Sequence, residues 1–262
     1  MRATPVESGP GKLMPAPSLR DSGELFHQQQ RLKHSLLDAP QAIRWRSARD
    51  LAAHMLLSID EPAVCWGLAL DFLRRNLGVE RVDGGFASPE DDLYWPAFAE
   101  CRSGPDVPSL LGLAVNNHAH AARQIWLSGG PLVHENMEQD VVFDAALRRH
   151  FLSIGTIGKM TCAVFLGNEP IGLVCADRMS KGNGWQTSQF DCFDSVTRDV
   201  MAPILHVTKK CMLLNSHSDN GYPKAAPSRL ASLLPTLSKA ELHVCRLGPV
   251  NTFSVHQRRA RS

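Results

Sequence analysis

The sequence predicts an α+β domain in which an antiparallel sheet is flanked by helices and closed by a long C-terminal helix. Two pairs of strand-like runs are each joined by a turn-forming cluster, which is typical of antiparallel hairpins. Around these pairs, apolar residues recur at steps of three and four, the spacing of helices with one buried face. The chain has 262 residues, 44% of them hydrophobic, which is enough to fill the core of such a domain.

The charge of the chain is nearly balanced overall but unevenly distributed. Lys and Arg number 28 and Asp and Glu 26, which gives a formal net charge of +2. From Pro223 onward seven Lys or Arg stand against one acidic residue, so this end is basic and the rest of the chain is mildly acidic. A balance so near zero gives no reason to expect wholesale binding of polyanions.

The seven cysteines form no Cys-x-x-Cys pair and no closely spaced set with histidine. Neither a disulfide framework nor a structural zinc site is therefore predicted, and no metal is expected. Residues 1–18 contain no apolar run of signal-peptide length, and nowhere do about eighteen apolar residues follow one another. We expect a soluble, cytoplasmic protein with no membrane partner.

The N-terminal part is expected to pass from a flexible leader into helices. Residues 1–23 hold four Pro and three Gly among scattered charges, which bury too little apolar surface to offset the entropy of ordering. Residues 24–61 show helical spacing of apolar side chains, which predicts an amphipathic helix or a helix pair.

A well-delimited helix is predicted from Pro62 to Gly78. Acidic residues and Pro stand at its start, and Arg74 and Arg75 complement the dipole in its last turn. Gly78 can adopt the left-handed conformation that ends a helix. The predicted apolar stripe of this helix consists of Val64, Leu68, Phe72 and Leu73.

The middle of the chain is predicted to contain one hairpin and a mixed insertion. Strand-like runs at 79–87 and 93–101 enclose an acidic turn and should pair. A helical run from 109 to about 126, a short strand at 132–135 and a helical or irregular stretch at 140–152 should follow.

A second hairpin is predicted from alternating apolar residues at 160–166 and 171–177, which flank a Gly-Asn-Glu-Pro turn. The final helix should begin at Ser188, with Asp191 reaching back to complete its cap. Pro203 should bend or divide this helix.

The apolar residues of the final helix follow alternating steps of three and four from Phe190 to Leu214, the spacing of a coiled-coil seam. Core packing is the favoured interpretation of this seam. Pairing of the helix with a second subunit is the alternative.

Two short passages resemble one family. They are Leu-Gly-Val-Glu-Arg-Val at 77–82, where the first helix meets the first strand, and Asn-Glu-Pro-Ile-Gly-Leu-Val at 168–174. With the order of elements, they make residues 62–208 resemble a GAF domain. The resemblance implies a sheet flanked by helices that binds a small molecule or pairs as a dimer, usually without catalysis. We expect a non-enzymatic sensor that forms a homodimer, with an unknown cofactor.

A second resemblance concerns the end of the sequence. Ser238 can cap a helix and Glu241 can complete its capping box, so residues 237–247 resemble the first helix of a LuxR-type helix-turn-helix domain. Gly-Pro at 248–249 then stops the helix, and no recognition helix follows. We expect a linker at 209–232, a partial helix-turn-helix with a basic tail at 233–262, and weak or absent DNA binding by a truncated transcription regulator.

Two candidate ligand-binding residues lie in the insertion. The insertion forms a wall of the pocket in many GAF domains, so the resemblance makes His118 a candidate pocket residue or axial haem ligand. The alternative is a plain surface or packed histidine. Trp126, with Trp66 and Trp95, could line an apolar cavity or simply fill the core.

Cys101 and Arg102 form a further candidate pair, because a reactive thiolate needs a nearby positive charge. A redox-active thiol sensor or a small redox enzyme on the same fold is therefore the alternative function, with Cys162 and Cys175 as further thiols. The competing interpretation is that these cysteines are small buried hydrophobic residues on strands.

Overall fold

The computed structural model describes residues 19–38, 46–94, 99–181 and 184–218. The expected linker beyond 218, the partial helix-turn-helix and most of the expected leader lie outside these residues. The observed class is the predicted one, since helices flank an antiparallel sheet and a long helix ends the described chain. No helix in the described ranges is long and apolar enough to span a membrane.

The N-terminal helices belong to the same packed unit as the sheet and the final helix. Helix α1 begins at Leu19, inside the stretch expected to be a leader, and a π-helical turn follows it. Helix α2 packs against α3 and the last helix, helix α1 packs against α2 and the last helix, and both contribute to the same core. The bounds of these helices are α1 Leu19–Lys33, α2 Arg46–Leu57 and α3 Pro62–Leu77.

Helix α3 has the predicted ends but not the predicted buried stripe. Gly78 has a φ of 64°, and its N–H donates to the carbonyl of Arg74, which ends the helix as expected. Val64 is 41% exposed, however, because the face toward the sheet is turned by about one residue. That face consists of Cys65, Trp66, Ala69, Leu70, Leu73 and Leu77.

The main sheet has five antiparallel strands in the order β3-β1-β7-β6-β5. The predicted second hairpin is β6 and β7, and the predicted strand at 132–135 is β5. In the first predicted hairpin β1 does pair with β3, but β2 pairs with β4 in a separate two-stranded ribbon. The strands are β1 Arg81–Phe86, β2 Leu93–Tyr94, β3 Ala99–Arg102, β4 Val115–Asn116, β5 Leu132–His134, β6 Gly158–Leu166 and β7 Glu169–Arg178.

One face of the sheet is apolar and packs on helices. Gly84 lets α3 approach, because a Cβ there would lie 2.8 Å from the ring of Trp66. Gly172 lets β7 approach β1, because a Cβ there would overlap the carbonyl oxygen of Gly85. At both positions a neighbouring group, the ring of Trp66 or the carbonyl of Gly85, lies too close to the backbone for a side chain to fit.

Residues 104–157, which we call the covering segment, lie over the opposite face of the sheet, except for β5, which is the edge strand of the sheet itself. The helix predicted from 109 to 126 is wrong in its first half, because Gly112 has a φ of 85° and the chain there forms turns and β4. Only helix α4, His120–Leu127, forms in that region, and helix α5, Ala145–Ser153, follows later.

The final helix has a different N-cap from the predicted one, but it is divided next to Pro203 as predicted. Helix α6, Thr187–Val196, has Gln186 as its N-cap rather than Ser188, since the side chain of Gln189 accepts from the N–H of Gln186 over 2.8 Å. A π-helical segment then joins α6 to helix α7, Ala202–Ser218. This widened turn lies just before Pro203, whose missing N–H and ring disfavour a regular α-turn there.

The seam of the final helix is buried within this chain. Phe193, Val200 and Ile204 are fully buried and Cys211 nearly so, and α6 and α7 pack on α3. The favoured core interpretation therefore agrees with the structure. A dimer would need a surface other than these residues.

Candidate functional site

Several charged side chains lie on the sheet face beneath the covering segment, including Glu100 of β3, which lies opposite Asp83. Four of them form a buried set. Strand alternation puts Arg81 and Asp83 of β1 on this face, together with Lys159 of β6 and Asp177 of β7. All four are buried, with no more than 3% of each residue exposed. We call this set the ionic cluster.

Asp177 links the two cations of the ionic cluster. Its Oδ2 accepts from Nε of Arg81 over 2.8 Å, and its Oδ1 accepts from Nζ of Lys159 over 2.6 Å. Burial acts to lower the pKa of Lys159, but Asp177, Cys175 and Asp83 together outweigh it and raise that pKa. Lys159 is therefore a buried ammonium group, and it also lies 4.7 Å from the ring centre of Phe151.

Asp83 is the exception in the ionic cluster, because neither of its carboxylate oxygens has a hydrogen-bond partner among the described residues. Burial raises the pKa of Asp83 to about 7, against the opposing charge of Lys159. The hydroxyl of Thr161, on the same face, is also buried and unpaired within the described chain. Each such group calls for an explanation, since buried polar atoms are almost always paired.

A cavity of about 40 Å³ lies between this face and the covering segment. Lys159, Leu173 and Cys175 of the sheet form its floor, and Cys175 is the residue directly across from Asp83. Its roof and sides are mainly apolar and include Tyr94, Leu110, Ala122, Ile125 and Phe143.

Arg81 on the sheet forms hydrogen bonds with the covering segment near both ends of that segment. Its Nη1 donates to the carbonyl of Pro108 over 2.7 Å, and its Nη2 donates to the hydroxyl of Thr156 over 2.9 Å. The side chain that anchors Asp177 thus also holds the roof of the cavity in place.

His134, at the edge of the sheet, extends the polar region. Its Nδ1 lies 2.6 Å from Oδ2 of Asp140, while its Nε2 is buried and unpaired in the described structure. Burial lowers the pKa of His134, with the Asp140 carboxylate opposing the shift. In the register of the sheet His134 lies opposite Lys159.

Neither His118 nor Trp126 belongs to the lining of the cavity. His118 lies on a loop with 45% of its side chain exposed, and its Nε2 is 3.4 Å from Oδ1 of Asp92. The indole N–H of Trp126 donates to the side chain of Asn117 over 2.8 Å. Trp126 packs edge-on against Phe165, and its neighbour on α4, Ile125, is the residue that reaches the cavity.

Cys101 and Arg102 lie on opposite sides of β3. The thiol of Cys101 faces the helical side, 3.4 Å from Oδ1 of Asp71, and burial raises its pKa to about 11. Arg102 donates to the carbonyl of Val107 over 2.7 Å. The structure therefore does not bring the four sequence-predicted ligand residues together at one site.

The described cysteines carry free thiols in environments that disfavour the thiolate. Burial raises the pKa of Cys65 to about 12 and that of Cys162 to about 11, and it raises the pKa of Cys175 still further. These directions do not favour the thiol-sensor alternative. The DNA-binding candidates Ser238 and Glu241, and Trp95, lie outside the described residues.

The ionic cluster was missed by the sequence analysis, although the signal was present. The run Arg-Val-Asp at 81–83 alternates charge and apolar residue inside a strand, and Lys159 and Asp177 stand at the outer ends of the second hairpin. An acid and a base at paired positions of neighbouring strands can stabilise each other when buried.

Comparison with known proteins finds similarity in structure only, because no family model and no curated protein matches the chain. The PixJ GAF domain of Thermosynechococcus elongatus has a TM-score of 0.45 and 14% identity, covering 68% of this chain and 99% of that domain. The phycocyanobilin-bound GAF domain of a cyanobacterial phytochrome has a TM-score of 0.46 and 16% identity, covering 67% and 96%.

A third similar structure is the chromophore-binding domain of a bacteriophytochrome from R. palustris. Its TM-score is 0.48 at 16% identity, covering 66% of this chain and 62% of that one. These structures have the GAF-like α+β fold class that the sequence predicts.

Proposed function

We propose that this chain is a non-enzymatic, GAF-like sensory module that binds a small molecule between the ionic cluster and the covering segment. The observation that carries the proposal is the cavity of about 40 Å³ beneath the covering segment, whose floor includes Lys159 of the ionic cluster and Cys175, the cross-strand neighbour of the buried and unpaired Asp83. Enclosed, mainly apolar cavities of this kind are where small ligands bind. A bilin, which one of the similar domains binds, is far larger than about 40 Å³, so the proposed ligand is smaller.

We further infer that the module belongs to a cytoplasmic LuxR-type transcription regulator that acts as a homodimer and binds DNA weakly or not at all. The capping-box pattern of Ser238 and Glu241 supports the regulator class, and the free thiols agree with a reducing compartment. The expected result of an electrophoretic shift assay at physiological salt is no tight, sequence-selective complex. Such a complex would contradict the inferred weak or absent binding of DNA by this chain.

Native mass spectrometry of the protein purified from its own host tests ligand binding. We expect a dimer with added mass in the wild type, and loss of that mass in Ala122→Leu, which fills the cavity. Ala146→Leu is the matched control, because Ala146 is exposed on α5 and should leave the added mass unchanged. Circular dichroism confirms that both variants are folded.

A wild-type dimer without added mass, and without a melting shift on addition of small polar molecules, would contradict the ligand part of the proposal. The chain would then be better described as a dimerisation module. A monomer would contradict the homodimer.

A further inference from the structure

Asp83 faces a second buried carboxylate across the strand pair β1 and β3. Glu100 is directly opposite Asp83 in the register of the sheet, and only 3% of its side chain is exposed. Directly opposite residues of an antiparallel pair have Cβ atoms about 4.5–5.5 Å apart, so like charges there destabilise each other. The two acids differ in their contacts, since Glu100 is hydrogen-bonded and Asp83 has no partner among the described residues.

The cations near Asp83 are engaged by other acids. Arg81 and Lys159 both donate to Asp177, and Arg102 lies 3.4 Å from the carboxylate opposite Asp83. An ionised Asp83 is therefore a buried charge without a hydrogen-bonded counterion, which is costly.

Ionisable groups from several strands determine when Asp83 loses its proton. Burial raises the pKa of Asp83 to about 7, and the neighbouring acids add to this shift while the cations oppose it. Burial also raises the pKa of Tyr94 and of Cys175, so both of these groups are neutral. The groups that face Asp83 are Arg81 of β1, Tyr94 of β2, Glu100 and Arg102 of β3, Lys159 of β6, and Cys175 and Asp177 of β7.

Glu100 holds part of the cavity roof to the sheet. Its carboxylate accepts from Oγ of Ser109 and from the N–H of Leu110, each over 2.7 Å. Leu110 is buried and lines the cavity. A displacement of Glu100 would therefore displace a residue of the cavity wall.

Arg81 holds the adjacent residue of the roof. Its Nη1 donates to the carbonyl of Pro108 over 2.7 Å, and Arg81 lies on the same strand and the same face as Asp83. Residues 108–110 are thus attached to the sheet by two charged side chains, one on each strand of the pair that contains Asp83.

Loss of the proton from Asp83 weakens both attachments. The repulsion between the two carboxylates falls when Glu100 moves away from the sheet, which takes Ser109 and Leu110 with it. The charge of Asp83 gains a partner when water or the guanidinium of Arg81 reaches it, which uncovers or releases residues 108–110. A protonated Asp83 instead has an O–H donor for the carboxylate opposite it, which favours the closed arrangement.

We propose that loss of the proton from Asp83 loosens residues 108–110 over the cavity and so lowers the affinity of the site for its ligand. This inference rests on the proposed function and names the regulation of the same site. The opposed carboxylates, the engaged cations and the attachment of residues 108–110 carry it together.

Hydrogen exchange of the full-length protein, followed by mass spectrometry and corrected for the intrinsic rise of exchange with pH, tests the loosening. From about pH 5 to about pH 7 we expect the opening of residues 104–127 to increase at least about tenfold, because the open state releases the proton more readily than the closed state. Strands β6 and β7 should change less. No increase would overturn the inference, and so would an equal increase over the whole chain, which would mean global unfolding.

Two variants assign the effect to the carboxylate pair. Asp83→Asn keeps the shape and removes the charge, so the increase with pH should disappear. Glu100→Gln keeps an oxygen for Leu110 and offers an N–H to Asp83, so the increase should level off at a lower pH than in the wild type. A residue that only supported the fold would not move this pH. If Asp83→Asn does not fold, Glu100→Gln tests the inference by itself.

Asp106→Asn is the matched control for both variants. Asp106 is an exposed acid of the covering segment, so its substitution should leave the wild-type dependence on pH unchanged. Loss of the dependence in this variant would contradict the role of Asp83.

Native mass spectrometry at the same two pH values connects the loosening to the ligand. The fraction of wild-type protein with added mass should fall from the lower to the higher pH, and in Asp83→Asn it should stay constant. Equal retention by the wild type at both values would overturn the inference and leave a ligand-binding module. Absence of added mass at both values would contradict the proposed function itself, and the inferred control of the ligand with it.

Discussion

Asp83 should make the stability of this fold depend on pH. In the folded protein its pKa is raised from 3.8 to about 7, chiefly by burial. Between these values the folded state holds a proton that the unfolded chain releases, so the free energy of unfolding falls as pH rises through this window. Above about pH 7 both states have lost the proton and the dependence from this group ends.

Asp83→Asn removes this titration, so the variant should gain stability relative to the wild type as pH rises from about 4 to 7. Urea unfolding at several pH values measures the difference. Asp92→Asn, at an exposed site, should follow the wild type throughout. Parallel pH profiles for wild type and Asp83→Asn would contradict the raised pKa of Asp83.

Gly172 lies where β7 approaches β1 too closely for any side chain, and a single substitution can test this requirement. Gly172→Ala should destabilise the protein by about 1–3 kcal/mol, because the added methyl group meets the carbonyl of Gly85 between paired strands. Gly130→Ala, where nothing lies within 4 Å of the new methyl group, should change the free energy of unfolding by less than about 0.5 kcal/mol. Equal effects of the two substitutions would contradict the close approach of β7 to β1.

At the level of elements, Gln189 links the start of α6 to the end of α3. Besides accepting from Gln186, the side chain of Gln189 donates to the carbonyl of Leu77 over 2.5 Å, so it joins the first turn of α6 to the last residue of α3. A residue that satisfies two backbone groups at once stabilises both helix ends.

Gln189→Ala should therefore cost about 1–2 kcal/mol of stability. Ser188→Ala is the matched control, because Ser188 is exposed and should change stability by less than about 0.5 kcal/mol. Chemical denaturation of the three proteins measures both effects. A larger loss for Ser188→Ala than for Gln189→Ala would support the cap predicted from the sequence.

Elements whose ends depend on local residues could be predicted from the sequence. Elements whose ends depend on contacts distant along the chain could not. The stop at Gly78 depends on the conformation of one residue, and the β6–β7 hairpin depends on a short turn, so both could be predicted. Gln189 acts as a cap partly through Leu77, which is more than one hundred residues away. Gly112 interrupts the middle helix because the covering segment must turn across the sheet.

For the whole molecule, the sequence shows only part of the ionic cluster. Lys159 and Asp177 lie on the predicted β6–β7 hairpin, whereas Arg81 and Asp83 lie on β1. No local pattern specifies that β1 inserts beside β7, so these two residues had no visible counterpart. His118 and Cys101 were predicted as ligand-binding candidates, but neither lines the cavity.

The attachment of the covering segment through Arg81 predicts how the molecule opens. Arg81→Lys keeps a positive charge but cannot reproduce the fork that holds Pro108, Thr156 and Asp177 together. Amides of α4 and α5 should then exchange with solvent at least about tenfold faster, while those of β6 and β7 change less.

Arg198→Lys is the control for this experiment, because Arg198 is exposed and pairs only with nearby acids of its own helix region among the described residues. Hydrogen exchange followed by mass spectrometry measures each segment. Uniform acceleration over the whole chain in Arg81→Lys would mean that Arg81 supports global stability rather than the covering segment.

The position of β1 within the sheet has a consequence for the order of folding. Val82 pairs with Ala176, so the two strands can join only after the intervening chain, including the covering segment, has been synthesised. During synthesis on the ribosome, the edge of β1 that pairs with β7 would therefore stay unpaired until β7 has emerged. Because such long loops must close before contacts compensate the lost entropy, folding should be slow, in the range of milliseconds to seconds.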